Sequence, residues 1–181
     1  MNLKKIVLPL LLTACTFSAW AKDELATIPS LNVHRYMGTW YEIGKFPTPF
    51  QKNCVSNTMA VYEAQPNGTM RVTNRCTESS GKVKEAIGEA RQIGNATSPK
   101  LEVRFAPVWL SFLPFVWGNY WVIDLDTDYQ LVAISEPRQE LLWILSRTPK
   151  PNDLAYSQLI DRLKKKGFDL SKMEATRQNK P

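Results

Sequence analysis

Eight short stretches of alternating apolar and polar residues, each closed by a turn, constrain this chain more than any other feature. They run over 40–46, 55–64, 69–77, 83–93, 101–105, 120–125, 130–135 and 141–146. Alternation with period two gives a strand one face to bury and one to leave open. Between the second and third stretches lies Gln65-Pro66-Asn67-Gly68, whose Asn-Gly pair favours the positive φ of a tight hairpin. Short strands at regular spacing, joined by Gly, Pro, Asn and Asp, leave a sandwich or an up-and-down barrel. After the eighth stretch the period changes. Leu154, Leu159, Ile160 and Leu163 fall near helical spacing over 151–166, with Asn152 and Asp153 at the start and Gly167 just past the end. One amphipathic helix outside the strands is predicted, followed by a last short strand over 173–176.

At 181 residues the chain has the length of one domain with a full core. Its first 21 residues read as a signal segment. Lys4 and Lys5 precede an apolar run that begins at Ile6. Two processing sites compete. Leu12-Thr13-Ala14-Cys15 resembles a bacterial lipobox, with cleavage before Cys15 and lipidation of its thiol. Ala19-Trp20-Ala21 has the form of a secretory site, with cleavage after Ala21. Residues 22–181 then form the single domain. Loss of Lys4 and Lys5 takes the formal charge from +6 to +4. Lys164, Lys165 and Lys166 read as a solvated helix end, and no nucleic-acid partner is expected. Cys54 and Cys76 remain, an even pair in an oxidising compartment. They read as a disulfide worth about 3 kcal/mol, with two free thiols as the alternative.

Residues 106–121 (APVWLSFLPFVWGNYW) hold three tryptophans, two phenylalanines, two prolines and no charge in a chain that is 22% charged. The run is too short and too broken by proline to cross a bilayer as a helix. Core, a ligand mouth, a partner surface and a lipid contact all fit its composition.

Gly38-Thr39-Trp40, Thr127-Asp128-Tyr129 and Arg147 occur in the order and spacing of the lipocalin motifs, and the helix follows them. The chain resembles the lipocalins over about residues 30–177. The stretches YMGTWYEI, YWVIDLD and LWILSRTP resemble the bacterial Blc-type outer-membrane lipoprotein branch, which also holds apolipoprotein D. The resemblance implies an all-β fold: an eight-stranded antiparallel up-and-down β-barrel (a calyx) with one C-terminal α-helix packed outside. Gly38, Trp40, Thr127, Asp128, Tyr129 and Arg147 would be its fold signature. Trp40 would plug one end, with Arg147 over its indole in a cation–π contact of about 1–2 kcal/mol. Alternate connections share an end in such a barrel, so 106–119 belongs at the open mouth. Cys54 and Cys76 then lie near the same rim, opposite each other across the Asn-Gly hairpin, which favours the disulfide.

The resemblance also implies the pocket. Period-two alternation from Trp40 and Arg147 turns Glu42, Gly44, Leu145, Trp143 and Leu141 inward. Thr58, Ala60, Tyr62, Val72, Asn74, Phe105, Tyr120, Val122, Leu131 and Ala133 face in by likeness to the family. Gly44, Ala60 and Ala133 would leave room for a ligand, and large side chains filling the barrel are the alternative. Trp109, Phe112, Phe115 and Trp117 would form the mouth loop, which packs on itself, touches a membrane or forms a homodimer contact. Lys52, Arg75, Lys82 and Arg138 are rim-side candidates for a head group.

Catalytic and metal motifs are wanting. Asp124-x-Asp126-x-Asp128 opens like a calcium loop, but Tyr129 stands where Gly is needed and Ser135 where Glu is needed. His34 is the only histidine, so no His-based triad or His/Cys metal cluster can be assembled. No cofactor is expected. The expected function is a lipid-binding carrier of the cell envelope, holding a fatty acid such as palmitate or a lysophospholipid, with a lipid anchor on the outer membrane. A soluble periplasmic or secreted form is the alternative location. Rival functions are an enzyme on the same barrel acting on a lipid, a carrier of a pigment, haem or signal molecule, and a purely structural envelope protein.

Overall fold

The computed structural model describes residues 24–179. The expected signal segment, with Cys15 and both cleavage sites, lies outside the described residues. The eight predicted strands form: β1 (Gly38–Lys45), β2 (Cys54–Ala64), β3 (Met70–Glu78), β4 (Val83–Gln92), β5 (Lys100–Arg104), β6 (Gly118–Leu125), β7 (Leu131–Ser135) and β8 (Leu142–Ser146). Each pairs with the next, and β1 pairs with both β8 and β2, so the sheet closes on itself. Closure removes free strand edges. A short β9 (Glu174–Ala175) adds to β1 at Gly44 and Lys45. Past Tyr41 and Met59, β1 and β2 separate towards the open end, and the tail after β9 stitches them together. Gln178 there donates to the backbone oxygens of both Glu42 and Thr58, at 2.8 Å each.

Two apolar clusters share the sheet, one on each face. The inner cluster includes Tyr36, Trp40, Tyr62, Val72, Val122, Val132, Ile134 and Leu145. A short helix α1 (Val33–Tyr36), with Asn32 as its N-cap, lays Tyr36 and Leu31 across the closed end. The outer cluster joins Trp121, Ile123, Leu131, Ala133, Leu142 and Ile144 to Leu159 and Leu163 of helix α2 (Asp153–Lys165). Leu159 and Leu163 are fully buried, each worth about 1.5–3 kcal/mol. Leu154, predicted on the same face, is exposed. The Asn152 side chain caps α2 by accepting from the Ala155 N–H. Arg162 on α2 holds Asp124 on β6 through two hydrogen bonds, 2.7 and 2.9 Å. Asp126 accepts from the backbone N–H groups of Gln130 and Leu131 in its turn. The carboxylates that open like a calcium loop are thus a turn and a helix clasp.

Candidate ligand cavity

The closed end is built on the three sequence motifs. Trp40 is fully buried, and the Arg147 guanidinium lies 3.9 Å over its ring. Arg147 also donates to three backbone oxygens, of Tyr129, Thr39 and Arg35, at 3.2, 2.9 and 2.8 Å. Gly38 has φ +94°, the left-handed region that favours glycine, and packs under the Arg147 guanidinium. Thr127-Asp128-Tyr129 joins the same lock: Arg35 donates to the Thr127 oxygen and stacks on the Tyr129 ring.

Above this floor is a cavity of about 590 Å³, within the usual size of a small-molecule site. Tyr62, Ala60, Asn74, Val72, Phe105, Tyr120, Leu141, Trp143 and Leu145 line it, as expected from the sequence. Val122 faces inward but lies below the cavity, packed in the floor.

Ala133 and Leu131 correct the expectation. Both face outward and pack under α2. Cross-strand partners share a face: Ala133 pairs with outward Ile144, and Val132 with inward Leu145. A bulge between Val122 and Asp124 shifts the register of β6 against β7. Gly44 is corrected too. A bulge between Glu42 and Gly44 interrupts the alternation of β1, and a Cβ on Gly44 would meet Met173, 3.1 Å away and outside the barrel. Room inside comes from Ala60 and from β4, where Ala86 lines the cavity and Gly88 lies against Phe105. A Cβ on Gly88 would fall 2.6 Å from the Arg104 carbonyl oxygen and 2.7 Å from the Phe105 ring. The small residues Ala86, Gly88 and Ala90 recur with period two, a signal present in the sequence and not read there.

One wall of the cavity carries a polar chain. Gln51, on the turn Pro49–Gln51, donates to Glu42 at 2.6 Å and accepts from the Trp143 indole N–H at 2.9 Å. Thr176, past β9, donates to the other Glu42 oxygen at 2.5 Å. Burial pushes the Glu42 carboxyl above the ordinary carboxylate range, against the opposing pull of these two hydrogen bonds. Arg75, one of the rim-side candidates, lines the cavity and is paired with Glu85 at 2.6 Å. Lys84 lines it too, a cation the sequence reading did not single out. Cys54 and Cys76 are joined as a disulfide and lie in the cavity wall near the rim.

The mouth loop divides in two. Trp117 is held at its base, donating to the Ser111 oxygen with Arg91 stacked 4.0 Å from its ring. The tip carries Val108, Trp109, Phe112 and Phe115, which are 72%, 72%, 76% and 80% exposed. The tip therefore does not pack on itself. Phe115 also borders the cavity, and Phe50, 72% exposed, stands among the other lining residues.

The fold, the floor motifs and the cavity meet their match among known proteins. The lipocalin-like domain family model matches residues 31–178. The chain is a lipocalin. It is 41% identical over 160 residues to temperature-induced lipocalin-1 of Arabidopsis thaliana, covering 87% of this chain and 85% of the relative. It is 32% identical over 163 residues to the outer membrane lipoprotein Blc of Escherichia coli K12, covering 90% and 87%. Insecticyanin of the tobacco hornworm Manduca sexta superposes with a TM-score of 0.64 at 18% identity, covering 85% of this lipocalin and 84% of that chain. Lipocalins bind small hydrophobic ligands, and the cavity of this one has that character.

Proposed function

We propose that this lipocalin is a lipid carrier of the cell envelope, holding one fatty acid or lysophospholipid in its barrel. The observation that carries the reading is a cavity walled mainly by apolar side chains that opens beside an exposed aromatic loop. Each acyl methylene moved from water into such a cavity contributes about 0.8 kcal/mol, so a long chain needs few specific contacts. Arg75 and Lys84 stand where an anionic head group would emerge. Trp109, Phe112 and Phe115 suit contact with a bilayer surface, from which a lipid could enter without crossing water. The likeness to Blc, which is named an outer membrane lipoprotein, supports Cys15 as a lipid anchor at that membrane. Cleavage after Ala21 would give the soluble periplasmic or secreted alternative.

Titration of the mature protein with hexadecanoic acid and with a lysophosphatidyl lipid, read by isothermal calorimetry, tests the reading. Saturation at one lipid per chain is expected, with weaker binding in Ala86→Phe, which narrows the cavity. Affinity unchanged in Ala86→Phe would place the lipid elsewhere and overturn the proposal. The intact mass of the processed protein separates an acylated Cys15 from a chain that begins at Lys22. Flotation with phosphatidylglycerol vesicles, set against sedimentation in their absence, separates a membrane-touching mouth loop from a homodimer contact.

A further inference from the structure

The deep end of the cavity is not a hydrocarbon wall. Three phenols meet there: Tyr36 Oη lies 2.6 Å from Tyr120 Oη, which lies 2.9 Å from Tyr62 Oη. The rings pack as a cluster, with centroids 5.4 Å apart for Tyr36 and Tyr62 and 6.2 Å apart for Tyr62 and Tyr120. Tyr62 and Tyr120 line the cavity, and Tyr36 is sealed beneath them.

Proton counting gives this cluster a direction. Each neutral phenol holds one proton to donate. The two contacts among the three hydroxyls use two of those protons. One O–H is therefore left without a phenolic acceptor in every arrangement. If Tyr36 and Tyr62 both donate to Tyr120, the spare proton is on Tyr120. If Tyr120 donates to Tyr62, it is on Tyr62; if Tyr120 donates to Tyr36, it is on Tyr36, beneath the cavity. Tyr62 and Tyr120 border the cavity, and rotation of hydroxyl hydrogens alone interconverts the three arrangements, so an acceptor in the cavity selects the first two. Among the described residues, none of the three hydroxyls has another hydrogen-bond partner. In the free barrel water can accept this proton, but an acyl chain that displaces the water leaves the donor unpaired unless it brings an oxygen of its own, so the floor favours a ligand that does. Burial keeps the phenols neutral: it raises Tyr62 to about 12, and Tyr36 and Tyr120 well above their ordinary value.

We propose that the Tyr36–Tyr120–Tyr62 floor is a donor subsite for an oxygen acceptor carried at the leading end of the bound chain. This rests on the carrier reading and narrows it to a ligand class: acyl chains with a keto, hydroxyl or other neutral oxygen near the terminus that enters first, in preference to plain saturated chains. The head group remains at the mouth beside Arg75 and Lys84.

The test compares hexadecanoic acid with 15-oxohexadecanoic acid, which carries a methyl ketone at the far end. Their Kd ratio is measured in the wild type and in the double variant Tyr62→Phe/Tyr120→Phe. The wild-type ratio is expected to favour the ketone by about three- to tenfold more than the variant ratio, the range one hydrogen bond supplies. A ratio that does not move, or moves the other way, overturns the subsite and leaves the carrier reading standing. If neither acid binds the wild type, the carrier reading falls and the subsite falls with it. Should the double variant not fold, the wild type still decides. Difference infrared spectroscopy with a 13C-labelled ketone is expected to show its stretch shifted below the position in hexane. A hexane-like position overturns the proposal.

Discussion

At the closed end of the barrel Arg147 spends its donors on backbone oxygens and its flat face on Trp40, while at the open end Trp109, Phe112 and Phe115 face outward with most of their surface exposed. The same strands run to both ends. What differs is how each end treats its large aromatic side chains. The floor buries them: Trp40 lies under Arg147, and its indole N–H donates to the Tyr36 backbone oxygen. The mouth displays them on a loop whose base is pinned by Trp117 on Arg91 and whose tip touches little. Stability is therefore concentrated at the floor, and the surface available to a ligand or membrane at the mouth.

Substitutions should separate the two ends. Trp40→Ala removes a fully buried indole and is expected to cost about 3–5 kcal/mol, read as a drop in the urea midpoint. A cost below 1 kcal/mol would break the claim that the floor is the structural end. Cys54→Ser/Cys76→Ser opens a loop of sequence separation 22 at the rim and should cost about 3 kcal/mol by the same measurement. Arg147→Lys keeps the charge but not the planar fork that reaches three oxygens, and about 1–2 kcal/mol should be lost. The triple change Trp109→Ala/Phe112→Ala/Phe115→Ala should move stability by no more than about 0.5 kcal/mol, yet abolish flotation with vesicles when made in a protein that begins at Lys22 and so carries no acyl group. A large loss of stability there would mean that the tip is packed in solution.

The smallest effect concerns pH. Glu42 is held above the ordinary carboxylate range by burial. Between its unfolded and folded pKa the native state binds more protons than the unfolded chain, so stability falls as pH rises through that window. Below the window both states are protonated and the penalty vanishes. Glu42→Gln should lack this slope, seen as a growing difference in urea midpoint as pH increases. Parallel curves would mean that Glu42 is not penalised by its site.

The floor was far more legible in the sequence than the cavity wall. Gly38, Trp40, Tyr129 and Arg147 act locally or through a fixed motif spacing, and the strands begin and end within two residues of the alternating stretches. Helix α2 announced itself by its spacing and caps. Gly44 was misplaced because period two cannot be carried across a bulge, and the bulge at Ile43 leaves no sequence mark. Ala133 was placed inward by likeness to the family, and its pairing with outward Ile144 turns it out. Strand β4 misled in another way: Val83 and Ile87 are exposed on the outside, while the small residues Ala86, Gly88 and Ala90 face in. A ligand cavity reverses the usual rule that large apolar residues point to the core. The bond between Thr176 and Glu42 spans 134 positions and follows from the pairing of β9 with β1.

The most direct measurement is native mass spectrometry of the processed lipocalin taken from its own envelope, followed by organic extraction of what it holds. One acyl lipid per chain, held less fully in Ala86→Phe, is the predicted result. A barrel that arrives empty and also refuses added fatty acid and lysophospholipid would contradict the account.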